Sequence, residues 1–180
     1  MTEWPLHREQ VLIIGPGGAG KTFVANKLRT LGVNAYDADA VPGLIRFVND
    51  HGQVVPFPLD ADQAWFSKHH FVWDVQVLEQ LLASNDTLYL FGTSENAWNL
   101  RHLFDRTYYL KPDRELVRRR LVSSDRHNPM GRTEEQRELM LKNLKKHDRQ
   151  AQALGLPTID ASHSPEEVFR MITQREGLHQ

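Results

Sequence analysis

A glycine-rich segment near the start of the chain has the residue types and spacing of a phosphate-binding loop. It matches the pattern G-x-x-x-x-G-K-[ST] and comprises Gly15, Pro16, Gly17, Gly18, Ala19, Gly20, Lys21 and Thr22. Glycines let the main chain approach an anion closely, so that successive backbone N–H groups can point at phosphate oxygens. Lys21 would place an ammonium on the β- and γ-phosphates of a nucleoside triphosphate, and the Thr22 hydroxyl would coordinate Mg²⁺.

The residues on either side of the loop support this interpretation. Residues 11–14 form a short apolar run, Val-Leu-Ile-Ile, which predicts a buried parallel strand directly before the loop. Apolar residues at helical spacing follow the loop, and Gly32 suits the position just after a helix end. A strand before the loop and a helix after it are the context that this motif requires. We therefore expect residues 15–22 to bind ATP together with Mg²⁺.

Two classes of triphosphate-binding protein lack their own motifs here. A switch GTPase would carry N-K-x-D and a transport ATPase would carry L-S-G-G-Q, and neither occurs. The order of motifs instead resembles the small P-loop kinases, namely shikimate kinase, gluconate kinase and the nucleoside monophosphate kinases. The resemblance covers nearly the whole chain. It rests on the phosphate-binding loop, on Tyr36-Asp37-Ala38-Asp39, on arginines between two late helices, and on Asp160-Ala161-Ser162.

The resemblance gives each carboxylate of the D-x-D pair a role. As in shikimate kinase, Asp37 would hold Mg²⁺ through water, and Asp39 would orient the attacking hydroxyl and accept its proton. Phosphoryl transfer needs a fixed metal and an aimed nucleophile, with little covalent work by the protein. The alternative is structural: Asp39 caps the next turn, and Asp37 simply ends a strand.

The resemblance also implies a lid at about residues 123–133. Arg126 and Arg132 are the lid arginines expected to close over the transferring phosphate, and either could hold the catalytic role. Arg119 or Arg120, on the preceding helix, would lie against adenine, with Arg119 preferred. The Ser162 loop would border the adenine through its backbone.

Departures from the kinase pattern leave the acceptor open. Nucleoside monophosphate kinases usually end their third strand in D-G-[FYI]-P-R, whereas this chain has Phe91 at the acidic position and no arginine for a nucleotide phosphate. The polar residues 93–96 that follow either contact substrate or form a solvated turn. Trp65 lies in an insertion at about residues 42–71, where these kinases keep their substrate-binding cap. Like Trp73 and Trp98, it lines either a pocket or the core.

The distribution of apolar residues predicts the elements that position these groups. Strands are expected at residues 11–14, 35–37, 88–91, 107–110 and 157–159. Helices are expected after the phosphate-binding loop, near 44–49, after Asp74, and at 113–122, 134–154 and 165–172. Strands that alternate with helices form a parallel sheet covered on both faces. The predicted fold class is α/β, a P-loop NTPase three-layer sandwich with a small lid.

Composition limits the other possibilities. The 180 residues fit one domain, and the formal net charge of −1 favours neither nucleic acid nor a membrane surface as partner. There is no cysteine, and the nine histidines lack the spacing of a metal site. The N-terminus carries no apolar run long enough for a signal peptide or a membrane span, so a cytoplasmic location is expected, as a monomer or homodimer.

The sequence therefore predicts a Mg²⁺-dependent kinase that transfers the γ-phosphoryl of ATP to a hydroxyl of a small polar molecule. One alternative is a nucleoside or nucleotide kinase. Another is a nucleotide-binding regulatory protein with low turnover. The identity of the phosphoryl acceptor is left open by every motif in the chain.

Overall fold

Eight strands and seven helices make up the described part of the chain, residues 8–122 and 131–174 of a computed structural model. The strands are β1 (Glu9–Ile14), β2 (Ala35–Asp37), β3 (Ile45–Asn49), β4 (Val54–Val55), β5 (His69–Trp73), β6 (Thr87–Gly92), β7 (Arg106–Lys111) and β8 (Thr158–Asp160). The helices are α1 (Lys21–Thr30), α2 (Gln63–Phe66), α3 (Val75–Ala83), α4 (Ala97–Leu100), α5 (Arg114–Val122), α6 (Glu134–Ala153) and α7 (Pro165–Thr173).

Five of the strands form a parallel sheet in the order β2-β6-β1-β7-β8. Strand β1 lies at its centre, and its residues Val11 to Ile14 are fully buried. Successive side chains of a strand point to opposite faces. Val11 and Ile13 accordingly pack in one apolar cluster with α1 and α7, while Leu12 and Ile14 pack in another with α3 and α4. The molecule is therefore a three-layer α/β sandwich, as predicted.

Most of the predicted elements are present, but one is wrong. Residues 44–49 were expected to be helical, whereas Ile45–Asn49 is strand β3, paired antiparallel with β5 over five positions. This short run is rich in branched and aromatic residues, which favour strands when a partner is available. The partner, His69–Trp73, lies some twenty residues further along the chain, so local periodicity could not reveal the pairing.

The insertion at residues 42–71 is built on a second sheet, with strand order β4-β3-β5. One face of this sheet carries Phe47 opposite Phe71. Phe57 stacks on Phe47 with ring centroids 4.6 Å apart, and Trp65 of α2 meets Phe47 edge-on at 5.3 Å. The insertion thus has a small aromatic core of its own, separate from the two clusters of the main sheet.

Polar side chains hold this second sheet against the main one. Arg46 pairs with Asp74 at 2.8 Å, and Asp74 also caps α3 by accepting from the Val77 N–H. His70 lies between Glu95 (2.9 Å) and Asp50 (3.0 Å), and hydrogen bonds to these carboxylates, first to Glu95, raise the pKa of His70. The insertion is therefore anchored at its β5 edge by charged groups that remain partly exposed.

No helix in residues 8–122 and 131–174 is long and apolar enough to cross a membrane.

Gly92, at the end of β6, is predicted to be intolerant of any side chain. A Cβ at Gly92 would overlap the Cβ of Ala38 and lie 2.7 Å from Cζ2 of the buried Trp73. Gly92→Ala should therefore lower the free energy of unfolding by about 1–3 kcal/mol through overpacking, measured by urea denaturation. In the control, Gly92→Ala combined with Ala38→Gly should recover part of the loss. Equal stability of Gly92→Ala and the unmodified chain would contradict the close packing.

Candidate phosphate-transfer site

The predicted phosphate-binding loop joins β1 to α1 at the carboxyl end of the sheet. Gly20 precedes α1 with φ near 90°, a conformation that glycine adopts readily, and it provides no side-chain cap. The first N–H groups of a helix have no partner within the helix, and its N-terminal end carries partial positive charge. Without a side-chain cap, the start of α1 is suited to accept an anion.

Two cations hold the carbonyl groups of this loop. The Lys21 ammonium donates to the carbonyl oxygens of Gly15 (2.7 Å) and Pro16 (2.8 Å). The Arg120 guanidinium donates to the carbonyl oxygen of Ala19 at 2.7 Å and, more weakly, to that of Gly18 at 3.3 Å. Because these carbonyls are bound on one side, the loop is fixed in shape before any phosphate arrives.

Two helices pack directly against the loop glycines. A Cβ on Gly18 would lie 2.9 Å from Val117 of α5, and one on Gly17 would overlap the end of Met140 of α6. Gly18 also has a positive φ of 83°. The loop therefore needs glycine at these positions because of its neighbours in the fold as well as for access by phosphate.

The D-x-D pair lies at the end of β2, two strands from β1. Asp37 pairs with Phe91 of β6 and is only 6% exposed, whereas Asp39 is exposed. An Asp37 carboxylate oxygen accepts the Asp39 N–H at 3.1 Å and so caps the short 3₁₀ turn Ala38–Ala40. The cap that the sequence alternative assigned to Asp39 is therefore provided by Asp37. The side chains of the two aspartates occupy different environments.

The predicted metal ligands have a suitable chemical composition. Thr22 lies exposed in the first turn of α1, and Asp37 provides a buried carboxylate that forms no ion pair within the described residues. Hydroxyl and carboxylate oxygens are ligands that Mg²⁺ prefers. No group of three or more His, Asp or Glu side chains within the described ranges has the arrangement of a metal site, so Mg²⁺ would depend on phosphate oxygens and water as well.

The arginines predicted to belong to the lid or to contact adenine have different environments. Arg126 lies outside the described residues. Arg132 has an exposed side chain, and its backbone N–H donates to Gln136 at 3.0 Å. Arg119 is exposed, whereas Arg120 reaches the loop and also donates to the Ala161 carbonyl oxygen at 3.1 Å.

Of the two arginines considered for the base, Arg120 is therefore the one that bridges the phosphate-binding loop and the β8–α7 connection. Burial, followed by the nearby charge of Arg119, lowers the pKa of Arg120. Ser162 follows Ala161 in that connection, and its N–H donates to the Asp160 carboxylate at 2.8 Å.

The polar residues after β6 are used to hold the structure together. The Asn96 side chain accepts from the Trp73 N–H at 2.8 Å and donates to the Trp73 carbonyl at 2.9 Å, extending β5 as a strand neighbour would. Ser94 donates to Asn96 and accepts from the Ala97 N–H. Residues 93–96 were predicted either to contact substrate or to form a solvated turn. The observed contacts of Ser94 and Asn96 are structural and favour neither prediction.

His147 on α6 lies within electrostatic range of Lys21 but was not identified from the sequence. Its ring meets Trp98 edge-on at 5.7 Å, and its Nδ1 is buried without a hydrogen-bond partner in the described part of the chain. Burial, followed by the positive charge of the nearby Lys21, lowers the pKa of His147 to about 4. His147 is therefore neutral at physiological pH. Among nine scattered histidines, no sequence signal distinguishes it.

Gln136 is the second residue that sequence analysis missed. It is 2% exposed, and its side-chain oxygen accepts from the N–H groups of Gly131 (2.9 Å) and Arg132 (3.0 Å). Its side-chain nitrogen donates to the carbonyl oxygens of Leu59 (3.3 Å) and Ala61 (3.0 Å). One buried amide thus connects the start of α6 to the insertion.

Known proteins resemble this chain in structure more than in sequence. No protein-family model and no curated protein matches it. It superposes on "Shikimate kinase from Acinetobacter baumannii in complex with shikimate" with a TM-score of 0.57 and 19% identity, over 93% of this chain and 94% of that chain. Shikimate kinase from Bacteroides thetaiotaomicron has 14% identity, covers 91% and 98%, and gives a TM-score of 0.49. Deoxyadenosine kinase from M. mycoides with bound dATP has 15% identity, covers 91% and 96%, and gives a TM-score of 0.45.

The first of these likenesses shows the fold. The chain has the fold of the small P-loop kinases, and the resemblance seen in its motifs is confirmed at that level.

The His147 environment predicts a distinct response to pH. The unfolded chain binds a proton on this residue below about pH 6.5, and the folded chain does so only near its pKa of about 4. Stability should therefore fall as the pH drops from 6.5 toward 4. NMR titration should find one imidazole with a pKa near 4, and His147→Gln should flatten the pH dependence in this window. His51→Gln, at an exposed turn, is the matched control. A His147 signal titrating near pH 6.5 would contradict this environment.

Proposed function

We propose that this chain is a Mg²⁺-dependent kinase that transfers the γ-phosphoryl of ATP to a hydroxyl group of a small molecule. The observation that carries the proposal is the phosphate-binding loop, whose carbonyls are held by Lys21 and Arg120 and which leads into the uncapped start of α1. The fold shared with a shikimate kinase supports the same reaction class. The acceptor is a small molecule that reaches the carboxyl edge of the sheet from the side of residues 42–71.

Each residue of the site has one physical task in this reaction. The loop N–H groups and Lys21 bind the triphosphate and stabilise negative charge on its oxygens. Thr22 and Asp37 would hold Mg²⁺, which supplies charge neutralisation on the phosphate oxygens when bound. Asp39 orients the acceptor hydroxyl and takes its proton. Arg126 or Arg132 contributes positive charge at the transferring phosphoryl group. The adenine base lies next to Ser162 and is contacted by Arg120 or, alternatively, by Arg119.

The reaction balances without a further reagent. The acceptor oxygen forms a bond to the γ-phosphorus while the bond from that phosphorus to the β–γ bridging oxygen breaks. The products are a phosphate monoester and ADP. The hydroxyl proton passes to Asp39 and then to solvent.

Transfer from radiolabelled ATP to a panel of alcohols tests this function directly. Labelled phosphate monoester, formed only with Mg²⁺ present, is the expected result. Tight ATP binding with no monoester from any acceptor would favour the regulatory alternative. Absence of ATP binding would overturn the kinase proposal itself.

Lys21→Ala should weaken ATP binding without unfolding the chain. The charge-assisted contact to phosphate contributes about 1.5–3 kcal/mol, roughly ten- to hundredfold in Kd. Calorimetric titration with Mg·ATP, beside urea unfolding, measures both properties. Lys27→Ala is the matched control, because Lys27 lies on the same helix and pairs with Glu166 at 3.8 Å. Unchanged ATP affinity in Lys21→Ala would remove the loop from the proposed site.

The two aspartates should be separable by mutation. Asp37→Asn should weaken Mg²⁺-dependent ATP binding, because the buried carboxylate is the proposed metal ligand. Asp39→Asn should leave that binding intact and abolish transfer, because its exposed carboxylate acts on the acceptor. ATP affinity with and without Mg²⁺, followed by single-turnover transfer, distinguishes the two. Equal losses of Mg²⁺-dependent affinity in both variants would mean that they share one role.

A further inference from the structure

Five aromatic side chains of the insertion form one surface, here called the aromatic cluster. Its members are Phe47, Phe57, Trp65, Phe66 and Phe71. Every member is half-buried, and none reaches the burial of the main core. Apolar rings that remain partly exposed after packing on each other still present area on which a ligand can pack.

The structure places this cluster beside the proposed site at two points. Phe71 and Trp73 are two positions apart on β5, so their side chains point to the same face. The Trp73 ring lies close to Ala38 and Gly92 at the edge of the main sheet. Ala38 lies between the two aspartates proposed for metal and acceptor. One end of the aromatic face therefore meets the end of β2, where the hydroxyl must be held.

The second point is the start of α6. The Ala61 carbonyl, just before α2 and Trp65, accepts from Gln136 at 3.0 Å. Met140 lies one turn further along α6, about 6 Å, and its side chain reaches Gly17 of the phosphate-binding loop. The aromatic cluster thus lies between the D-x-D edge of the sheet and the helix that packs on the loop.

The charged side chains of residues 42–71 do not favour an anionic acceptor. Arg46 is occupied by Asp74, and His70 by Glu95 and Asp50. Lys68 lies on the exposed turn after α2, where water screens its charge. The buried side chain that α6 brings toward Lys21 is a neutral imidazole, His147. Within the described part of residues 42–71, a carboxylate would meet no buried, unpaired cation, whereas an uncharged ring would meet several aromatic faces.

We propose that the aromatic cluster binds the phosphoryl acceptor and that this acceptor is an uncharged alcohol bearing an aromatic or heteroaromatic ring. The inference rests on the proposed kinase function and specifies its substrate class. Trp65 is the specificity-determining residue, because its ring contacts more members of the cluster than a peripheral residue would. It meets Phe47, Phe57 and Phe66 edge-on, and the His69 ring stacks on it at 4.2 Å. The ring of the acceptor would pack on the exposed part of this group while its hydroxyl points to Asp39.

The experiment compares two sets of alcohols on the full chain with Mg²⁺ and ATP. Adenosine, thymidine and pyridoxine represent uncharged ring-bearing alcohols, and shikimate and gluconate represent carboxylate-bearing ones. Binding is measured by calorimetry with a non-hydrolysable ATP analogue, and transfer is measured with labelled ATP. At least one ring-bearing alcohol should be phosphorylated with kcat/KM at least tenfold above both carboxylates.

Variants of the cluster then test the assigned surface. Trp65→Leu should raise the KM or Kd for the ring-bearing alcohol about tenfold while Mg·ATP affinity stays within about twofold. Trp65→Phe, which keeps a ring, should recover most of the loss. Val54→Ala is the control, since Val54 is exposed on β4 of the same insertion and outside the cluster. If Trp65→Leu does not fold, Phe57→Leu and Trp65→Phe provide the same comparison.

The outcomes distinguish failure of the proposed acceptor class from failure of the proposed kinase function. Failure to bind Mg·ATP overturns the kinase proposal. Mg·ATP binding with preferred transfer to shikimate or gluconate, or with no binding of any ring-bearing alcohol, overturns the acceptor class and leaves the ATP site standing. Equal loss of ATP and acceptor binding in Trp65→Leu, or acceptor binding unchanged in that variant, removes the cluster from the acceptor site.

Discussion

The close packing of other elements on the phosphate-binding loop is the constraint on which the rest of the site depends. Lys21 and Arg120 hold the loop by its carbonyl oxygens, and Val117 and Met140 approach glycines where no side chain would fit. Helices α5 and α6 must therefore return to the loop after leaving the sheet. Their packing fixes the loop in shape, and it also brings His147 near Lys21 and Gln136 to the insertion. A preformed loop loses less conformational entropy when it binds an anion.

Two side-chain amides attach the insertion and strand β5 to the rest of the molecule through backbone-like hydrogen bonds. Asn96 exchanges two hydrogen bonds with the Trp73 main chain, and Gln136 joins the Ala61 carbonyl to the start of α6. Both amides satisfy polar groups that would otherwise be buried without partners, which is unfavourable by about 1–3 kcal/mol each. The insertion is thereby held in a defined orientation against α6 and the residues after β6, although its own core is small. Its aromatic rings can then serve a ligand without first having to be ordered.

The sequence predicted the features that depend on local patterns and missed those that depend on distant partners. The loop, the β2 aspartates and the helix after Asp74 follow from motifs or from helical spacing. Strand β3 could not be recognised, because its identity depends on pairing with β5. Which of Arg119 and Arg120 contacts the loop depends on which face of α5 meets it, because adjacent helical residues point in different directions. His147 and Gln136 acquire their environments only when α6 packs, so composition and spacing carried no signal for them.

Two histidines, His70 and His147, make the stability of the fold depend on pH in opposite directions. His70 has a raised pKa because carboxylates accept hydrogen bonds from its protonated ring, so its contribution is present below pH 6.5 and is lost as the pH rises through the raised value. Because both partners are exposed, that contribution is small. His147 has a lowered pKa, so folding opposes its protonation, and stability falls as the pH drops from 6.5 toward 4. Acid therefore strengthens the contacts of His70 with Glu95 and Asp50, while it destabilises the environment of His147 near Lys21. Because Nδ1 of His147 is buried, whereas the carboxylates that pair with His70 are exposed, His147 has the larger effect on stability below pH 6.5.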